Sequence, residues 1–181
     1  MEPHRHEHFD LQPHLFGDLL ELRPLRPKDW DSLFKVASDP LIWEQHPAHD
    51  RYKEKVFKEF FREALESGGA FVVINRMTHE IIGSSRYFGF DPGKSEIEIG
   101  WTFLDRSYWG GKYNAELKRL MLDHAFRFVE RVIFLIGETN FRTQKAIEKL
   151  GGVLTEQREK TDQNGTSVEH VYVINRPALN L

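Results

Sequence analysis

Apolar positions along the chain alternate between a strand period of two and a helical period near 3.6, and these switches set out the elements. Leu19-Leu20-Glu21-Leu22-Arg23-Pro24 reads as a first strand, stopped by Pro24 and Pro27. Trp30, Leu33, Phe34 and Ala37 recur at helical spacing, and Asp39-Pro40 ends that helix. Residues 41–52, with Trp43, His46, Pro47 and His49, show no period and are expected to form a long loop, where function often resides. Val56, Phe57, Phe60, Phe61, Ala64 and Leu65 make the apolar stripe of a second helix, stopped by Ser67-Gly68-Gly69. Three strands follow over residues 70–75, 81–90 and 96–104, with turns at Met77-Thr78-His79 and Asp91-Pro92-Gly93.

A third helix is predicted over residues 114–129, with Leu117, Leu120, Met121, Ala125 and Phe128 inward and His124 packed among them. Residues 132–137, apolar throughout, suit a strand buried on both faces. A fourth helix is predicted over 141–150, ending at Gly151-Gly152. Residues 153–162 and 166–175 close as a hairpin around Asn164-Gly165, a pair suited to a type I′ turn. The order is strand, two helices, three antiparallel strands, helix, strand, helix, two strands. That is an α+β fold, with helices packed on a mostly antiparallel sheet of about seven strands.

Composition narrows this further. A chain of 181 residues suits one domain, taken as residues 19–181, behind a loosely ordered, flexible arm over 1–18. Its 14 Phe and 4 Trp favour a packed core. A net charge of −3 argues against nucleic-acid binding, and no apolar run approaches the ~20 residues of a membrane helix. Residues 1–8 lack the apolar stretch of a signal peptide, so the cytoplasm is the expected address. Without cysteine there is no disulfide, thiolate metal site or cysteine nucleophile. His4, His6, His8 and His14 read as a solvated tail, and no metal is expected.

The candidate chemistry lies in three places. Tyr108-Trp109-Gly110-Gly111-Lys112-Tyr113-Asn114 joins a strand to a helix through a glycine pair. Glycines there let a ligand approach the backbone, and the first free amides of a helix favour anions, so the turn is a candidate phosphate cradle. Glu96 and Glu98 share one strand face, opposite Ile97, Ile99 and Trp101, and either could serve as a base, Glu98 first. Asn140, with Thr143 three residues on, suits a helix N-cap. A nucleotide-binding reading of the glycines fails, because the preceding strands are hairpin-linked and no acidic residue follows at a ribose-binding spacing.

With Glu98-Ile99-Gly100-Trp101, the glycine turn, Asn140-Phe141-Arg142-Thr143 and Glu148-Lys149-Leu150-Gly151-Gly152 in this order, the chain resembles the GNAT superfamily of acyl-CoA-dependent N-acyltransferases over residues 19–175. Within it the chain looks most like the branch of ribosomal-protein N-terminal (alanine/serine) and spermidine acetyltransferases. The resemblance implies a sheet with helices on both faces, splayed between its fourth and fifth strands, with acyl-CoA in the wedge. It implies that amides of Gly110, Gly111, Lys112, Tyr113 and Asn114, beside Trp109, hold the CoA pyrophosphate. Arg106 and Lys112 would add charge, and an amide near Phe103 or Leu104 would stabilise the oxyanion. The family pattern is Gln/Arg-x-x-Gly-x-Gly/Ala; here Lys112 stands where the glycine belongs and Asn114 where the last small residue belongs. Asn140 would contact the pantetheine arm or order the nearby loop. Ile147 occupies the position of the family's tyrosine acid, leaving the Thr143 hydroxyl to hydrogen-bond the thiolate.

The implied activity is transfer of acetyl from acetyl-CoA to a primary amine, whether a protein N-terminus, a polyamine or another small amine. Alternatives are a succinyl-CoA-type donor, for which Arg86 could supply the basic residue, and a non-catalytic acyl-CoA-binding module. Trp43, His46, His49, Tyr87, Glu169 and His170 are acceptor-site candidates by position. The branch also implies a homodimer, although no feature of this chain marks an interface.

Overall fold

The computed structural model describes residues 8–163 and 165–178. Its strands are β1 (Leu15–Phe16), β2 (Leu20–Pro24), β3 (Ala70–Asn75), β4 (Ile81–Asp91), β5 (Glu96–Leu104), β6 (Arg131–Gly137), β7 (Val153–Asp162) and β8 (Gly165–Asn175). Its helices are α1 (Trp30–Ala37), α2 (Glu54–Ser67), α3 (Lys112–Ala125) and α4 (Phe141–Lys149). The strands form one sheet in the order β1-β2-β3-β4-β5-β6-β8-β7. All neighbours are antiparallel except β5 and β6.

Two apolar layers cover the sheet. Leu33 and Ala37 of α1 join Phe57, Phe60, Phe61 and Ala64 of α2 over Val72, Ile74 and Phe103. On the other face, Leu117, Met121 and Ala125 of α3 and Ile147 of α4 pack on Phe71, Tyr87, Ile97, Ile99, Phe134 and Tyr172. The expected mixed, mostly antiparallel sheet with helices on both faces is therefore present.

The eighth strand comes from the segment expected to be a loose arm, and over residues 8–18 that expectation is corrected. Leu15 and Phe16 pair with Leu22 and Glu21. Phe9 is buried and packs on the rings of Tyr87, Phe90, His124 and Phe128. The His124 Nε2 lies 2.8 Å from the Asp10 carbonyl, consistent with a packed histidine. The anchor is remote in sequence: the buried Glu116 carboxylate of α3 accepts the backbone N–H groups of Asp18, Leu19 and Leu20 at 2.8, 2.9 and 2.8 Å. A Cβ on Gly17 would sit 2.5 Å from the Glu116 carboxyl carbon, so this crossing needs glycine. His4 and His6 lie outside the described residues.

Glu116→Gln replaces one accepting oxygen with a carboxamide NH2, a donor that faces a buried N–H donor. It is expected to cost about 2 kcal/mol in urea unfolding. An unchanged midpoint would mean that the anchor carries no stability.

Two boundaries also differ from expectation. Helix α3 starts at Lys112, not Asn114, because Gly110 and Gly111 take φ of +111° and +115° and Gly111 is its N-cap. It ends at Ala125, short of residue 129. In the last hairpin Asp162 pairs with Gly165, which places Gly165 in the strand, while Asn164 lies outside the described residues.

The sheet splits where its one parallel pair begins. β5 and β6 pair only through Glu96–Arg131, Ile97–Val132 and Glu98–Ile133, and no pairing continues beyond Glu98. On the other edge of β5 the register slips between Gly100, opposite Arg86, and Phe103, opposite Ser84. Trp101 and Thr102 thus face the single residue Ser85, and Trp101 takes a left-handed φ of +53°. The bulge lies where β5 turns out of the ladder with β6.

Candidate active site

One side of the split is framed by the glycine turn. Because Lys112 is already helical, no glycine is needed at its position; the two positive-φ residues precede it. The departure from the family pattern therefore leaves a free first helical turn, with the amides of Lys112, Tyr113 and Asn114 in it. The turn is braced by rings. Trp109 Nε1 donates to the Leu104 carbonyl at 3.0 Å, Tyr108 and Tyr113 meet edge to face, and Asn75 donates to the Tyr108 hydroxyl at 2.9 Å. Arg142 of α4 lies 3.6 Å from the Trp109 ring centre, joining the start of α4 to the turn. Arg106 is engaged instead by Asp39, so Lys112 is the expected phosphate cation that the structure leaves at the helix start.

Asn140 ends the short connection after β6. Its Oδ1 accepts the Thr143 amide at 3.4 Å and its own amide donates to Gly137, so its side chain is a helix cap. Thr143 is half-buried and Ile147 fully buried. The long loop over 41–52 closes against this corner. Thr139 donates to the Gln45 carbonyl, the Arg142 amide donates to Gln45 Oε1, and a Cβ on Gly137 would collide with Pro47. The side chains of Phe103 and Leu104 are core residues on opposite faces, and their backbone follows the bulge along the stretch of β5 that does not pair with β6.

The other side opens into a cleft of roughly 1210 Å³ between the long loop, α2 and the β7–β8 hairpin. Glu98, Gly100, Trp101, His46 and Glu169 line it. Glu98 forms no hydrogen bond or ion pair among the described residues, and its carboxyl lies along Gly100. Burial, then the Glu169 carboxylate, push its pKa up to about 7 against the pull of Lys160, Arg86 and Arg158. Glu96 is engaged by Arg131 at 3.6 Å, which separates two carboxylates that the sequence left equivalent.

The acceptor candidates divide. His46 borders the cleft and is held neutral, pushed down to about 3 by burial and by Arg51 and Lys160. Glu169 borders it too, paired with Lys160 at 3.4 Å. His49 is exposed and lies within 3.3 Å of the Pro47 carbonyl. Trp43 is core, donating to the Ala37 carbonyl. Tyr87 is buried on the α3 face with its hydroxyl on the Met121 carbonyl, so it is no part of the cleft. His170 Nδ1 is buried without a partner among the described residues and does not line the cleft.

Sequence reading missed Lys118 and Arg51. Lys118 is buried on α3 with its Nζ donating to Thr102 Oγ1 at 2.7 Å, and Thr102 meets Ser85 Oγ at 2.8 Å. The same Nζ lies 5.9 Å from the Phe134 ring centre, so it spans from the β5 bulge to β6. The signal was present: Lys118 falls on the stripe of Met121 and Ala125. Arg51, in the aperiodic loop, left none.

A mixed sheet split at its one parallel pair, with a helix start on one side and a carboxylate-lined cleft on the other, defines the fold class of the acetyltransferases. Within that class the chain belongs to the GNAT acetyltransferase family: the model of the acetyltransferase (GNAT) domain matches residues 20–153. Solved structures agree in fold. A GCN5-related N-acetyltransferase from Brucella melitensis matches with a TM-score of 0.77 at 17% identity, over 91% of this chain and 79% of that one. The ribosomal-protein-S5-alanine acetyltransferase from Vibrio fischeri matches at 0.69 and 17%, over 91% and 97%. Mycobacterium smegmatis RimJ, in complex with CoA-disulfide, matches at 0.67 and 16%, over 86% and 81%.

Proposed function

We propose that this protein transfers an acetyl group from acetyl-CoA directly to a primary amine, with Glu98 as the base. The observation that carries the reading is Glu98 itself: a carboxylate without a bonding partner among the described residues, held near neutral pKa in a cleft beside the split. Such a group takes a proton at physiological pH, which an ammonium must give up before its nitrogen can attack. A protein N-terminus as acceptor enters by likeness to the Vibrio ribosomal-protein-S5-alanine acetyltransferase, and a polyamine only by the resemblance of the sequence motifs.

The residues fit the donor. The first-turn amides after Gly110 and Gly111, with Lys112, suit a pyrophosphate, and the opening between β5 and β6 suits an extended arm. Acetyl-CoA supplies an activated thioester. Glu98 takes one proton from the ammonium. The freed amine forms the C–N bond while a backbone N–H at Phe103 or Leu104 donates to the carbonyl oxygen as it gains charge, and the nitrogen's second proton passes to the departing thiolate. Thr143 donates to the sulfur as the C–S bond breaks. With Ile147 in the tyrosine position no strong acid is needed, because a thiol of pKa about 8.5 leaves readily as thiolate.

Thermal unfolding with acetyl-CoA, free CoA and ATP in parallel tests donor binding. At 100 times its dissociation constant a ligand adds about 2.7 kcal/mol, moving the midpoint by several degrees. A shift with both CoA compounds and none with ATP is expected, together with amine-dependent thiol release. No shift with either CoA compound would overturn the reading. A shift without amine-dependent release would favour the non-catalytic module.

A further inference from the structure

Two guanidinium groups beside the acceptor-side cleft are not used by the chemistry above. Arg86 of β4 is 3% exposed, yet its Nε and Nη2 have no hydrogen-bond partner among the described residues. Its guanidinium carbon lies 4.3 Å from the Trp101 ring centre and 5.5 Å from that of Phe60, and both rings line the cleft. Arg51 reaches the same Phe60 ring at 4.9 Å and the Trp43 ring at 5.6 Å. Stacking on aromatic faces suits a guanidinium but satisfies none of its N–H groups.

Neither arginine forms an ion pair among the described residues, and Arg51 meets only the His46 Nε2, 3.5 Å from its Nη1. Carboxylates act on them only from a distance, Glu63 and Glu98 on Arg86, and Asp50, Glu63 and Asp162 on Arg51. Burial pushes both guanidiniums down to about 10. Buried Arg86 and half-buried Arg51, set around one ring with N–H donors to spare, make a site suited to an anion.

Register fixes what that anion accompanies. Arg86 stands opposite Gly100, and Glu98 is two residues from Gly100 on the same face, so the guanidinium and the base are diagonal neighbours across adjacent strands. A molecule that presents its amine to Glu98 has its near substituents beside Arg86. We infer that Arg86, supported by Arg51, binds a carboxylate carried by the amine acceptor, which makes the acceptor a small amino acid-like zwitterion. Of the carboxylates lining the cleft, Glu59 is held by Arg62 and Glu169 by Lys160, so Glu63 and Glu98 face the ammonium. Arg51 on the wall and Arg86 behind its Trp101 and Phe60 rings take the carboxylate. This inference rests on the acyltransfer reading.

The test pairs each common α-amino acid with its carboxamide at saturating acetyl-CoA, adds one polyamine, and repeats the best pair with succinyl-CoA. In the best pair the acid is expected to exceed the amide at least tenfold in kcat/KM, and Arg86→Gln is expected to collapse that ratio to near one. Arg86→Lys keeps the charge without the planar fork and restores part of it. Calorimetric titration of the N-acetylated acid and its amide into CoA-bound protein gives a readout independent of turnover, with the same tenfold preference expected and lost in R86Q. If R86Q fails to fold in a thermal scan, R51Q carries the comparison.

Equal handling of acid and amide while amines still drive thiol release would overturn the subsite and leave acyltransfer standing. A polyamine preferred over every amino acid would overturn it as well. An Arg86-dependent preference for succinyl-CoA, with acceptors indifferent to their carboxylate, would move the anion to the donor and overturn the acceptor assignment.

Discussion

Glu98→Gln is expected to lower kcat/KM for amine acetylation by about 10² to 10³-fold, the contribution of a positioned general base, while the acetyl-CoA-induced thermal shift stays unchanged. The substitution keeps shape and removes only the capacity to take a proton. Its effect should be visible in pH as well. Burial, with Glu169 adding to it, raises the Glu98 pKa from 4.5 to about 7, while Lys160, Arg86 and Arg158 hold it from rising further. Below that value the carboxyl is protonated and cannot act as base, so kcat should climb as pH passes through about 7 and level off above it. In E98Q that limb should vanish. Glu96→Gln should do little, since Glu96 is already engaged by Arg131. An E98Q enzyme with wild-type kcat and an intact acid limb would remove Glu98 from the role.

Much of this site was legible because strand and helix periods fix faces. Glu98 could be set opposite Ile97 and Ile99 from spacing alone, and the cleft face follows from that. What distinguished Glu98 from Glu96 was Arg131, which reaches Glu96 from a neighbouring strand after an intervening helix. No local pattern holds such a contact. The glycine turn is legible in the sequence, yet its helix begins at Lys112 and not at Asn114, because the positive-φ glycines are themselves the cap. The N-terminal segment reads as an arm because its histidines are scattered among charges, and the two residues of β1 are too few to show a strand period. Its order comes from Glu116, nearly a hundred residues away. Arg86 sat in a strand pattern that fixed its face but not the aromatic rings around it. Lys118 was the avoidable miss, since a cation on an apolar helical stripe is either buried or the stripe is wrong.

Lys118→Met is expected to stabilise the protein at pH 7, on the order of 3 kcal/mol, and to flatten its stability against pH. The Lys118 amine is 3% exposed, its hydrogen bond is to the neutral Thr102 hydroxyl, and burial pushes its pKa from 10.5 down to about 7. No carboxylate pairs with it among the described residues, so nothing offsets the cost of bringing a charge there. The sign follows from proton counting. Between pH 7 and about 10 the unfolded chain keeps the lysine proton that the native state has released. The unfolded state binds more protons across that window, so wild-type stability rises with pH and the penalty is greatest at and below 7. Methionine fills a similar volume without a charge, and Thr102 retains its contact with Ser85 at 2.8 Å. The gain should therefore be largest at pH 7 and shrink toward pH 10, where the native amine is neutral and the unfolded one is close to losing its proton. Urea unfolding of both proteins at pH 7, 8.5 and 10 reads this directly. A variant less stable than wild type at pH 7, with the same pH slope, would show that Lys118 is charged and satisfied in the native state, and the account of a neutral amine bridging the split would fail.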